Sequence, residues 1–130
     1  MMIEELNIFK KRIFGRKKLI LQSTKNDIRG GRLFLSNPDN SITALVSFGP
    51  LGRMLNYNQG LREYARVMKK SAIAAIGLWL GKNFIFKGTQ YYHKEERFKQ
   101  ELEIFFMIKS ESVLYDDGKR KFIIFEVKKK

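Results

Sequence analysis

Cysteine is absent from this 130-residue chain, and His93 and Trp79 are its only histidine and tryptophan. A disulfide framework and a thiolate metal site are therefore excluded, and a single imidazole cannot furnish a zinc site. Proline occurs only at Pro38 and Pro50, so no segment reads as a rigid linker. The longest uncharged apolar run, Ala72 to Leu80, is about half the ~20 residues of a spanning helix. Met1-Met2-Ile3-Glu4-Glu5 lacks the basic-then-apolar order of a secretory signal. A soluble, cytoplasmic or otherwise intracellular protein is expected, with no membrane partner.

Acidic residues are also scarce. There are 13 Asp and Glu against 26 Lys and Arg, a formal net charge of +13. A small domain with this imbalance repels itself, and a polyanion would relieve it by counterion release. Apolar residues make up 44% of the chain, enough to build a core, so one folded domain over residues 1–130 is expected.

Ile3, Leu6, Phe9 and Ile13 recur at helical spacing, which predicts a short N-terminal helix over 3–13. Lys18–Ser23, Arg32–Ser36 and Ile42–Phe48 are short, branched and bounded by turn formers, the pattern of an antiparallel meander. Leu61, Tyr64, Ala65, Met68, Ala72, Ile76 and Trp79 predict one long helix over about 60–80, with Arg62, Arg66, Lys69 and Lys70 opposite. Its uncharged half, Ala72 to Leu80, must be covered all round, within the domain or by a second copy of the chain. Further strands are expected at Phe84–Lys87, at 101–109, where apolar residues alternate, and in a hairpin over 112–127 turning at Asp117-Gly118. Residues 93–100 fit a helical turn or a continued strand. The fold class expected is α+β: an antiparallel sheet of about six to seven strands, the long helix and the short N-terminal one, with Lys128–Lys130 as a flexible tail.

The basic residues cluster. Lys10, Lys11, Arg12, Arg16, Lys17 and Lys18 have no acid among them; Arg29 and Arg32 flank a turn; Lys119, Arg120 and Lys121 follow the Asp117-Gly118 turn. Leu33 and Leu35 facing the core would turn Phe34 outward beside Arg32, and one of Tyr91 or Tyr92 would also point away. Cations for phosphates beside rings for unstacked bases suit a single strand. These residues predict a non-catalytic nucleic-acid-binding protein of little sequence specificity, single strands favoured, acting as a homodimer without a cofactor. Phe105 and Met107 share the outward phase.

Two alternatives compete. Asp116-Asp117 followed by Glu126-Val127-Lys128 resembles the Asp…Glu-x-Lys signature of metal-dependent, restriction-type nucleases. A straight strand would separate Asp117 from Glu126 by nine residues at about 3.3 Å, roughly 30 Å, too far for one ion. A basic protein-interaction adaptor is the other alternative. Gly49-Pro50-Leu51-Gly52-Arg53 lacks the spacing of a phosphate-gripping loop and reads as a turn. His93 reads as a surface residue.

Overall fold

The computed structural model describes residues 20–82, 84–86, 88–91 and 93–130. The helix expected over 3–13 lies outside them. In chain order the elements are β1 (Ile20–Ser23), β2 (Ile28–Arg29), β3 (Arg32–Leu33), β4 (Ile42–Phe48), α1 (Tyr57–Val67), β5 (Met68–Gly81), β6 (Phe84–Phe86), β7 (Thr89–Tyr91), α2 (Glu95–Phe105), β8 (Phe106–Asp116) and β9 (Arg120–Lys129).

The segment expected as one helix divides at Val67. Up to there Tyr57, Leu61, Tyr64 and Ala65 form a buried stripe, and the Asn56 side chain caps α1 by accepting from the Gln59 amide. Past Lys69 and Lys70 the charges vanish, and a helix without a polar face has no place on a surface. The run becomes β5, paired along both edges, to β4 and β9, and almost wholly buried from Ala72 to Leu80. Near-continuous apolar sequence is what a strand covered on both faces requires. The all-round covering that suggested a second copy is thus accounted for within one chain.

The sheet is mixed, with order β1-β4-β5-β9-β8, and not an antiparallel sheet of six or seven strands. β1, β4 and β5 run parallel; β9 is antiparallel to both β5 and β8. Parallel neighbours need a crossover that returns the chain to its starting end. Residues 24–41 do this between β1 and β4 with a capped turn at Lys25–Asp27 and the small β2–β3 hairpin. Gln59 on α1 holds that hairpin, accepting from the Leu33 amide at 2.7 Å and donating to the Leu33 carbonyl at 2.8 Å. The alternation over 101–109 was misleading. Phe98 and Leu102, four residues apart, bury one face of α2, and the strand begins only at Phe106. The hairpin turning at Asp117-Gly118 is present: Asp117 Oδ1 accepts the Lys119 and Arg120 amides, both at 2.9 Å.

α1 and α2 cover one face of the sheet, packed on Leu45, Ile76, Leu78, Ile123 and Phe125. The other face carries Ala44, Val46, Ala75, Phe122 and Ile124. Lys128 and Lys129, expected in a free tail, belong to β9, and Lys129 Nζ donates to the Met68 carbonyl at 2.6 Å. Among the described residues no helix is long and apolar enough to cross a membrane.

Arg66 fastens the crossover to α1. It pairs with Glu63 at 2.6 Å and Asp39 at 2.7 Å, and donates to the Leu35 and Asn37 carbonyls, each at 3.0 Å. The Arg66 hydrogen bond, aided by the Leu35 amide, holds the Glu63 carboxyl below its ordinary value. A carboxyl lowered on folding adds stability above its unfolded value and loses it as pH falls through the folded one. Urea unfolding at about pH 6 and about pH 3 should show an acid loss that Glu63→Gln reduces. An equal acid loss in the variant would contradict this assignment.

Candidate functional site

The parallel strands β1, β4 and β5 deliver their carboxyl ends to one end of the sheet, the end where open α/β sheets bind ligands. There a crevice of about 410 Å³ lies between the end of β1 and the turn that follows β4.

The β1 side is built by a local hydrogen-bond knot. Thr24 Oγ1 accepts from the Asn26 amide, while Asp27 Oδ2 accepts from the Thr24 amide at 2.9 Å and from Ser23 Oγ at 3.0 Å. Ser23 is tied to the core as well. Tyr64 Oη donates to it at 2.8 Å and lies 2.7 Å from Ser47 Oγ, joining β1, β4 and α1 beneath the crevice. Burial pushes the Tyr64 phenol up to about 12, so it remains a neutral donor.

On the β4 side, Gly49 has φ 109, and a Cβ there would meet nothing within 4 Å. Its amide donates to the Gly77 carbonyl at 2.8 Å, and Pro50 starts the following turn. Gly77 matters for the opposite reason. A Cβ on it would come within 3.0 Å of the Phe48 ring and 3.1 Å of Phe122, so its lack of a side chain lets those rings close on the sheet. Trp79 completes the wall, edge-on to Phe122 at 5.3 Å with the Arg120 guanidinium 4.3 Å from its ring.

The crevice therefore combines flat walls (Phe48, Pro50, Trp79, Phe122), neutral polar groups (Gln22, Ser23, Thr24) and two cations, Lys25 and Arg53. Among the described residues no carboxylate lines it; Asp27 is engaged by the Ser23–Thr24 knot.

The residues expected to bind a polyanion are placed otherwise. Lys10, Lys11, Arg12, Arg16, Lys17, Lys18 and Tyr92 lie outside the described residues. Arg29 and Arg32 are exposed register partners in the β2–β3 hairpin. Phe34 does point outward, at 50% exposure, and Tyr91 ends β7. Lys119 is exposed at the β8–β9 turn, but Arg120 packs on Trp79 and Lys121 pairs with Glu95 at 3.2 Å. The hairpin that carries Arg29 and Arg32 is bound to α1, whereas Arg120 and Lys121 attach to β5 and α2. Phe105 packs against the core, while Met107 is exposed. The nuclease signature stays apart: Asp117 serves the turn, and Glu126, in β9, accepts from Ser110 Oγ at 2.9 Å. Among the described residues no cluster could hold a metal ion. His93 is buried, not superficial. Sequence reasoning missed the crevice; its one signal was the Gly-Pro turn after the third predicted strand.

No protein-family model and no curated relative matches the chain. Solved structures do. It is similar to a SAM-dependent methyltransferase of Thermotoga maritima, described as a possible histamine N-methyltransferase (TM-score 0.60, 15% identity, 75% of this chain and 60% of that one). It is similar to the geranyl diphosphate C-methyltransferase of Streptomyces coelicolor, solved with S-adenosyl-L-homocysteine (TM-score 0.63, 8% identity, 75% and 49%). The [4+2]-cyclase SpnF matches as well (TM-score 0.61, 14% identity, 74% and 52%). The chain thus spans about half to three fifths of the length of these proteins. Their fold overturns the antiparallel α+β class, and the expectation of a non-catalytic nucleic-acid binder is corrected with it: the structures the chain resembles are those of enzymes, and none of these three is described as binding nucleic acid. At these identities the likeness concerns the fold, which is the Rossmann-like fold of SAM-dependent methyltransferases.

Proposed function

We propose that this chain acts in methyl transfer from S-adenosylmethionine, with the crevice at the carboxyl ends of β1 and β4 receiving the cofactor. The observation that carries the reading is the chemistry of the donor set at that end of the sheet. Lys25 and Arg53 would hold the amino-acid carboxylate, and Gln22 and Thr24 the ribose hydroxyls. Phe48, Pro50 and Trp79 offer the flat apolar surface that an adenine ring and a sulfonium cation both favour. When bound, the cofactor supplies an electrophilic methyl group on that sulfonium. The chain's own part is to orient it, and the Gly49–Pro50 turn leaves open space beside it for an acceptor's approach.

Trp79, the only tryptophan, lines the crevice and reports on it. Titration with S-adenosylhomocysteine should change its emission saturably, and Lys25→Ala with Arg53→Ala should weaken that response about tenfold or more. Neither an emission change nor a calorimetric signal from the unaltered protein would remove the basis of the proposal.

A further inference from the structure

β5 ends against a second cavity, of about 250 Å³, on the opposite side of the sheet from the crevice. Trp79 lines the crevice and its neighbour Leu80 lines the cavity, because successive residues of a strand face opposite sides. Three segments close around Leu80: the end of β5, the entrance to α2 and the β8–β9 turn. Backbone bonds hold them together. The Gly81 amide donates to the His93 carbonyl at 2.9 Å, and the Lys82 amide to the Lys119 carbonyl at 3.3 Å. Main-chain contacts therefore set the shape of the cavity.

Each segment brings cations to it. Lys82 follows β5, Lys94 precedes α2, and Lys119, Arg120 and Lys121 open β9. Among the described residues Glu95 is the only carboxylate in the lining, and Lys121 takes it at 3.2 Å. Asp116 and Asp117 are outside the lining and occupied in the turn, where they accept the Gly118, Lys119 and Arg120 amides, each at 2.9 Å. Arg120 is held 4.3 Å from the Trp79 ring and 3.8 Å from Asp117. Lys82, Lys94 and Lys119 are exposed and, among the described residues, have no acidic partner. Five cations around so small a concavity repel one another, where an ordinary surface would intersperse acids. An anion seated among them relieves that repulsion. Cations arriving from three segments suit an anion whose charge is spread over many oxygens: a lone carboxylate would meet one or two of them, a diphosphate most.

We propose that this cavity binds the diphosphate end of a small molecule, with Lys82, Lys94 and Lys119 as its main contacts and Arg120 as a fixed one. Arg120 lines the cavity and stacks on Trp79, so the bound group lies across the end of β5 from the cofactor crevice. Identifying the occupant as the methyl acceptor rests on the methyl-transfer reading; the binding itself does not.

Inorganic pyrophosphate is the probe, followed on the full chain by amide NMR shifts and by the melting temperature. Saturable shifts confined to residues 80–82, 94–95 and 118–121 are expected, with a rise in melting temperature. Inorganic phosphate should bind about tenfold or more weakly, having fewer oxygens to share among the cations. Lys82→Gln with Lys119→Gln should weaken pyrophosphate binding about tenfold or more. The same pair should raise the melting temperature of the free protein, because like charges are removed. Lys69→Gln, at an exposed position of β5, should change neither. No shifts, shifts scattered over the lysine-rich surface, phosphate binding as tightly as pyrophosphate, or undiminished affinity in the double variant would overturn the proposal. A silent Trp79 response to S-adenosylhomocysteine with the pyrophosphate shifts intact would reject only the methyl-transfer reading.

Discussion

Gly81→Ala should destabilise the protein by about 3 kcal/mol or more, the scale of backbone strain combined with steric overlap. Gly81 closes β5 with φ +154, and a Cβ there would overlap the Lys119 carbonyl oxygen and lie 2.9 Å from Arg120 Cα. Both obstacles are backbone, so no rotamer change relieves them. The same residue donates its amide to the His93 carbonyl at 2.9 Å, and the neighbouring Lys82 amide donates to Lys119 at 3.3 Å. The substitution should therefore displace the β8–β9 turn and the entrance to α2 together. Chemical denaturation measures the loss of stability. Wild-type stability in Gly81→Ala would mean that this strand end is more adaptable than its geometry implies.

Tyr64→Phe should cost about 2 kcal/mol, because buried hydroxyls lose their partner without access to water. Ser47 is fully buried and Ser23 is 2% exposed, and both meet Tyr64 Oη. Ser23 retains Asp27, so the larger penalty falls on Ser47. Adding Ser47→Ala to Tyr64→Phe should recover part of the loss, since removing both partners is cheaper than removing one. The functional consequence concerns β1. Its four residues pair along one edge with β4, and this hydroxyl chain also ties it to α1. Loosening it should weaken the crevice's response to S-adenosylhomocysteine. A double variant no more stable than Tyr64→Phe would show that Ser47 has another way to satisfy its hydroxyl.

Much of the local structure was legible. Ile20–Ser23, Ile42–Phe48 and the hairpin at Asp117-Gly118 carry strand and turn chemistry in adjacent residues, and each forms. The errors have a common origin. Ala72 to Leu80 reads equally as a buried helix or a buried strand, because an uncharged run has no polar face to set its period. Leu102 to Ile108 alternates only because the buried face of α2 happens to end where β8 begins. The site was less legible than the fold. Lys25 and Arg53 meet across the crevice although no motif links them, and Tyr57 and His93 touch across 35 intervening positions. The two basic clusters among the described residues, at Arg29 and Arg32 and at Lys119–Lys121, attach to separate parts of the structure.

By itself the sequence determined composition-level facts: a cationic surface, an apolar core, no thiol chemistry, and strands and turns whose signals are local. Tertiary structure alone decided that β1, β4 and β5 run parallel, and hence that their carboxyl ends share one side of the molecule. The physical reason is that pairing direction depends on where a crossover returns the chain, a property of residues 24–41 folded against α1 and of no residue in the strands themselves.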